Sequence, residues 1–155
     1  MFIDLYTKKQ YILNMNEKYN KEFLAIDYGT RRIGVAKSAP MGIIASALTT
    51  LEVKSQKDAL AKILALIEEY QPNAVIFGYP LLKSGDISDK CREIDKFINK
   101  LQETYTGKLF RVDEHSSSIE ATQILHAHGQ KVGKDKKRID RLAAVIILER
   151  FLEDK

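Results

Sequence analysis

The chain has 155 residues, 45% of them hydrophobic and 30% charged, with 25 Lys and Arg against 21 Asp and Glu, a formal charge of +4 and a pI near 9.0. That length suits one domain with a sizeable core, and no stretch approaches the roughly 18 apolar residues of a membrane span, so no membrane partner is expected. A single cysteine, Cys91, excludes an internal disulfide, and residues 1–22 lack the apolar core of a signal peptide, so the expected location is cytoplasmic.

Residues 1–22, MFIDLYTKKQYILNMNEKYNKE, follow no element pattern and are read as a lead, helical or flexible, with Met15 leaving a later translation start open. The domain then runs over residues 23–155. FLAIDY (Phe23 to Tyr28) and IGVAKS (Ile33 to Ser38) are short apolar runs separated by Gly-Thr-Arg-Arg, the pattern of a hairpin of buried strands. A third strand is expected within GIIASALTTL. Ser55 is placed to cap a helix whose stripe is Leu60, Ile63, Leu64, Ile67 and Tyr70, ending before Pro72. AVIFG (Ala74 to Gly78) reads as a compact strand. The loop YPLLKSGDIS follows, then a helix with the stripe Cys91, Ile94, Phe97, Ile98, Leu101 and Tyr105, which makes Cys91 a buried apolar side chain.

KLFRVDE (Lys108 to Glu114) is the last strand, and Ser117 with Glu120 forms a capping-box pattern for a helix through Ile124 and Leu125, stopped by Gly129. The stretch KVGKDKKRIDR holds six basic and two acidic residues. Such a run neutralises phosphates in a nucleic-acid protein and is a solvated loop in others. A final helix is expected over Ile139 to Leu152, with Leu142, Ala143, Ile146 and Ile147 on its apolar side. The order is three strands, helix, strand, helix, strand, helix, helix. That is an α/β layered domain in which the first three strands meander antiparallel and the later ones need parallel crossovers.

Three acids fall where packing would not choose them. Asp27 interrupts an apolar strand, where an unpaired carboxylate costs several kcal/mol. Glu114, after Asp113, ends the last strand, and ligands of open α/β sheets collect at the carboxyl ends of strands. Asp140 lies in the first turn of the final helix. A hard cation such as magnesium takes oxygen ligands, and two such ions about 4 Å apart can hold both the attacking and the leaving oxygen of a phosphodiester. Taken singly, Asp140 also suits the helix macrodipole and Glu114 a lysine partner.

The particular residues go further. AIDYGTRRIGVA, with Asp27, Gly29, Thr30, Arg32, Gly34 and Ala36, resembles the opening motif of the YqgF family, also described as RuvX-like Holliday junction resolvases or pre-16S rRNA nucleases. FGYPLLKSG resembles its G-x-P loop through Gly78, Pro80 and Gly85. VDEHSSSIEA resembles its D-E-R-x-[ST]-T-x-E-A block through Asp113, Glu114, Ser118, Glu120 and Ala121, and IDRLAAVIILERFLE its closing block through Asp140, Ala143, Ala144 and Leu148. The four blocks stand in the family's order and cover residues 23–153.

The resemblance implies an RNase H-like three-layer fold, a mixed five-stranded sheet flanked by helices. It implies catalytic, metal-holding acids at Asp27, Glu114 and Asp140, with Mg2+ as cofactor and Mn2+ as a substitute. Arg31 and Arg32 beside Asp27, together with His115, Lys134, Lys136, Lys137 and Arg138, are the candidate nucleic-acid contacts. Gly29 is assigned a sharp turn, Gly34 a close approach of another backbone or of substrate, Ser84 and Gly85 the lining of the cleft, and Pro80 the loop's shape. His115 stands where the family has arginine, so its grip on phosphate depends on pH.

The expected activity is hydrolysis of nucleic-acid phosphodiesters, in 5′-end maturation of pre-16S rRNA, by a monomer or weak homodimer acting on structured RNA. Alternatives are a junction resolvase acting on branched DNA in recombination and repair, or a catalytically silent nucleic-acid-binding module. D-x-G-T after a first strand also opens actin-like kinases and ATPases, but those close two such domains over a nucleotide, and this length supplies one.

Overall fold

A computed structural model of the chain describes residues 22–39, 44–114 and 135–153, together with Ala121, Gln123, Ile124, His126 and Ala127. Five strands form one sheet: β1 (Phe23–Asp27), β2 (Arg32–Ser38), β3 (Ala45–Glu52), β4 (Ala74–Tyr79) and β5 (Lys108–Asp113), in the order β3-β2-β1-β4-β5. The first three pair antiparallel, while β1–β4 and β4–β5 are parallel, as the short and long connections require. Helices α1 (Gln56–Tyr70), α2 (Asp89–Leu101) and α3 (Lys136–Glu153) cover the sheet. The five described residues between 121 and 127 are helical too; the proposed capping pair, Ser117 and Glu120, lies outside the described residues.

Strand alternation divides the core. Leu24, Ile26, Val75 and Phe77 face α1 and α2, packing with Ile63, Ile94, Phe97, Ile98 and Leu101. Phe23, Ala25, Ala36, Ala74 and Ile76 face α3, against Ala144, Ile147 and Leu148. Ser55 caps α1 by accepting from Asp58 N–H, and Cys91 is buried beside Ile94, as expected.

Three details differ from the sequence pattern. α2 ends at Leu101, and Tyr105 lies beyond it, its hydroxyl donating to the Lys108 carbonyl at 2.9 Å. In α3 the fully buried positions include Ala144 and Leu148 while Leu142 is only half buried, because the helix crosses the small-residue face of β1 and β2. β5 is an edge strand with mostly exposed side chains, Phe110 among them.

Candidate active site at the carboxyl edge of the sheet

Because β1, β4 and β5 run parallel, their carboxyl ends share one edge. Ile26 pairs with Phe77 and Tyr79 with Asp113, which sets Asp27 beside Gly78 and Glu114 just beyond Asp113. Alternation puts Asp27 on the α3 side with Phe23 and Ala25, and Glu114 on that side with Val112. Both carboxyl groups are buried, Asp27 at 7% and Glu114 at 4% exposure, and they come within hydrogen-bonding reach of each other. Burial, and then the neighbouring Glu114, push the Asp27 carboxyl well above its ordinary range; Lys90 opposes the shift and Asp140 adds to it. Asp27 Oδ1 accepts no hydrogen bond among the described residues.

Gly78 makes the room for this pair. A Cβ there would stand 2.7 Å from Glu114 Oε2 and 2.5 Å from Ile147 Cδ1. Gly78→Ala is therefore expected to cost about 2 kcal/mol through overpacking and to displace the Glu114 carboxylate. Urea denaturation checks the first effect, and a midpoint equal to wild type would show that Glu114 has space this geometry denies it.

Asp140 arrives by a different route. Gly34 pairs with Asp27 across the β1–β2 hairpin, and a Cβ on Gly34 would collide with the Asp140 carbonyl, so the missing side chain lets the first turns of α3 lie directly on β2. The close approach expected of Gly34 is therefore to another backbone. Gly29 has no left-handed φ; its lack of a side chain instead leaves space for the Arg32 carbonyl. The Asp140 carboxylate is near enough to raise the Asp27 pKa, but its Oδ2 accepts from Arg32 Nε at 2.8 Å. Among the described residues no three His, Cys, Asp or Glu side chains gather as a metal cage. Two of the predicted acids are adjacent and the third is held by arginine.

Lys90, in the first turn of α2, is a cation the sequence did not single out. Its Nζ lies 4.0 Å from Asp27 Oδ1 and 3.8 Å from Glu114 Oε1. The end of α2 that carries it is tied to the sheet edge by Ser88, whose hydroxyl caps Cys91 N–H and donates to the Pro80 carbonyl at 2.8 Å. Farther along, Asp95 accepts from Tyr79 Oη at 2.7 Å and from Arg111 Nε at 3.0 Å. Burial and that bond push the Tyr79 hydroxyl up to about 12. Ser84, expected in the cleft, closes its own turn through Asp86 Oδ2.

The basic candidates fall into two groups. Arg31 and Arg32 line an open cleft of about 590 Å³ with Thr30, Glu52, Val53 and Lys54. Of the α3 run, Lys136, Lys137 and Arg138 are exposed. Lys137 Nζ meets Glu52 Oε1 at 2.8 Å, and its carbonyl accepts from Thr50 Oγ1 at 2.6 Å, which fastens the start of α3 to β3. Arg138 N–H donates to Asp135 Oδ1. His115 and Lys134 lie outside the described residues. Lys54 and Lys90 were missed because each is one of 25 basic residues and carries no motif.

An acidic pair at the carboxyl ends of parallel strands, flanked by guanidinium groups, suits a cation and phosphate oxygens. Relatives point the same way. A chain from Roseiflexus sp. named "Putative pre-16S rRNA nuclease" is 37% identical over 85% of this chain and 94% of its own length. A relative of the same name from Koribacter versatilis is 37% identical over 84% of this chain and 85% of its own. T. thermophilus RuvC in complex with a Holliday junction substrate has the same RNase H-like fold, with a TM-score of 0.55 at 13% identity, covering 86% of this chain and 94% of that one. With the family model described as RuvX, Holliday junction resolvase, matching residues 21–154, the chain belongs to that family.

Proposed function

We propose that the chain is a divalent-metal-dependent nuclease of the cytoplasm that hydrolyses RNA phosphodiesters in 5′-end maturation of pre-16S rRNA, with residues 23–155 as the catalytic unit. The observation that carries this reading is the buried Asp27–Glu114 pair at the shared carboxyl edge, with Asp27 Oδ1 lacking a hydrogen-bond donor among the described residues. Burying two adjacent carboxylates is unfavourable unless a positive charge joins them. Asp27 and Glu114, with Asp140 as third carboxylate, would hold Mg2+, or Mn2+ in its place; the ion supplies charge neutralisation and Lewis acidity toward the phosphate.

The chain's own groups do the rest. Arg32, held by Asp140 through Nε, lines the cleft with Arg31 and Lys54, where phosphates of the bound strand would lie. Lys136, Lys137 and Arg138 extend that positive surface along the start of α3, and Lys134 and His115 are assigned to the same contact. These side chains read phosphate and not sequence, so affinity is expected to depend on the shape of a structured RNA and to fall steeply with salt.

Purified chain incubated with 5′-extended 16S precursor RNA, unstructured RNA and a four-way DNA junction tests the reading. The expected result is shortening of the precursor at its 5′ side with Mg2+ and none with EDTA. The family description favours a second reading, resolution of branched DNA. Cleavage of the junction with the precursor left intact would establish it, and binding without cleavage in any metal would mark a silent module.

A further inference from the structure

The Lys90 ammonium occupies a place that neither the packing nor the proposed chemistry explains. It stands within 4.0 Å of both buried acids, yet at 3.8 and 4.0 Å it makes a hydrogen bond to neither. Charge-assisted N–H to carboxylate bonds close to about 2.8 Å. The ammonium thus straddles the pair as a point charge and leaves Asp27 Oδ1 without a donor among the described residues. Lys90 is anchored at one end only. Its backbone is fixed by the Ser88 cap and the burial of Cys91, whereas its side chain is 45% exposed, so the head can leave without disturbing the core.

We infer that Lys90 is the resident counter-ion of the site, and that a divalent cation entering between Asp27 and Glu114 must displace its ammonium, so that this lysine sets the cation's affinity by competition. This rests on the reading of Asp27 and Glu114 as the cation's ligands. The charge balance supports it. With both carboxylates ionised, the pair and one ammonium keep a net charge of about −1, which still attracts a divalent ion; once that ion is bound the pair is neutralised and no longer holds the ammonium. Lys90 keeps the metal-free acids together and yields to the ion. The same device weakens binding, because each ion must evict a favourable partner.

The test is isothermal titration of the full chain with Mn2+ alone, without nucleic acid and at one pH, for wild type, Lys90→Met, Lys90→Arg and Asp27→Asn. Methionine keeps the stem and removes the charge, and Lys90→Gln serves as a second neutral variant should Met perturb folding. Both neutral variants are expected to bind Mn2+ roughly tenfold more tightly than wild type, as loss of one nearby like charge requires, with Lys90→Arg close to wild type. In EDTA the neutral variants are expected to melt below wild type, and saturating Mn2+ to close that gap. Equal or weaker Mn2+ binding by the neutral variants, with binding abolished in Asp27→Asn, would overturn the counter-ion role and leave the carboxylate site standing. Undiminished binding by Asp27→Asn would place the ion elsewhere and overturn the reading of the site itself.

Discussion

Asp27→Asn is expected to lower metal-dependent cleavage by on the order of 10³-fold or more while making the metal-free protein more stable than wild type at neutral pH. Both effects come from one buried oxygen pair. The substitution keeps the shape of the side chain and removes a charge held at 7% exposure beside Glu114. The sign of the pH dependence follows from the raised pKa. A carboxyl whose folded-state pKa lies above its ordinary value stabilises the fold fully at pH below the ordinary value, and loses that contribution as pH rises through the raised one. At neutral pH wild type therefore bears a penalty that the neutral amide does not, about 1–3 kcal/mol for a buried polar group of this kind, reduced by whatever Lys90 returns.

Thermal melts in EDTA from pH 4 to 8 check this: the advantage of Asp27→Asn is expected to grow with pH and to disappear when Mg2+ is added to wild type, since only the carboxylate gains from the ion. Wild type more stable than Asp27→Asn across that range in EDTA would mean the Lys90 ion pairs outweigh the burial cost. Cleavage by Asp27→Asn equal to wild type would place the chemistry in another site.

Gly34→Ala is expected to cost more than Gly78→Ala, at about 3 kcal/mol, the upper part of the range for overpacking. The new Cβ would run into the Asp140 carbonyl and carbon, which are helix backbone and cannot rotate away as a side-chain tip would. α3 must lift from β2. Because that helix carries Asp140 and the Lys136–Arg138 run, its retreat also breaks the Arg32–Asp140 bond and the Thr50 and Lys137 fastenings to β3. Loss of activity is therefore expected even at temperatures where the variant stays folded. Chemical denaturation measures the first effect and cleavage at low temperature the second; a loss below about 0.5 kcal/mol would mean that α3 slides over β2 without cost.

The elements themselves were legible in the letters, because strand alternation and helical stripes are local properties of the chain. β1, β2 and β4 announce themselves as short apolar runs, α1 by a capped stripe, α2 by a stripe alone, and Asp27 by being a charge in an apolar strand. The parallel crossovers follow from connection length, so the shared carboxyl edge was foreseeable. What no local pattern carries is which side chains meet across the edge. Only the register of β1 with β4 and of β4 with β5 brings Asp27 and Glu114 together, and only the bare backbone of Gly34 seats α3 where Asp140 answers to Arg32. Lys90 and Lys54 look in the sequence like any solvated lysine; the long-range geometry alone makes one a neighbour of two buried acids and the other a wall of the arginine cleft. Electrostatic partnership depends on distances of a few ångströms through space, and those are settled by tertiary packing and not by position along the chain.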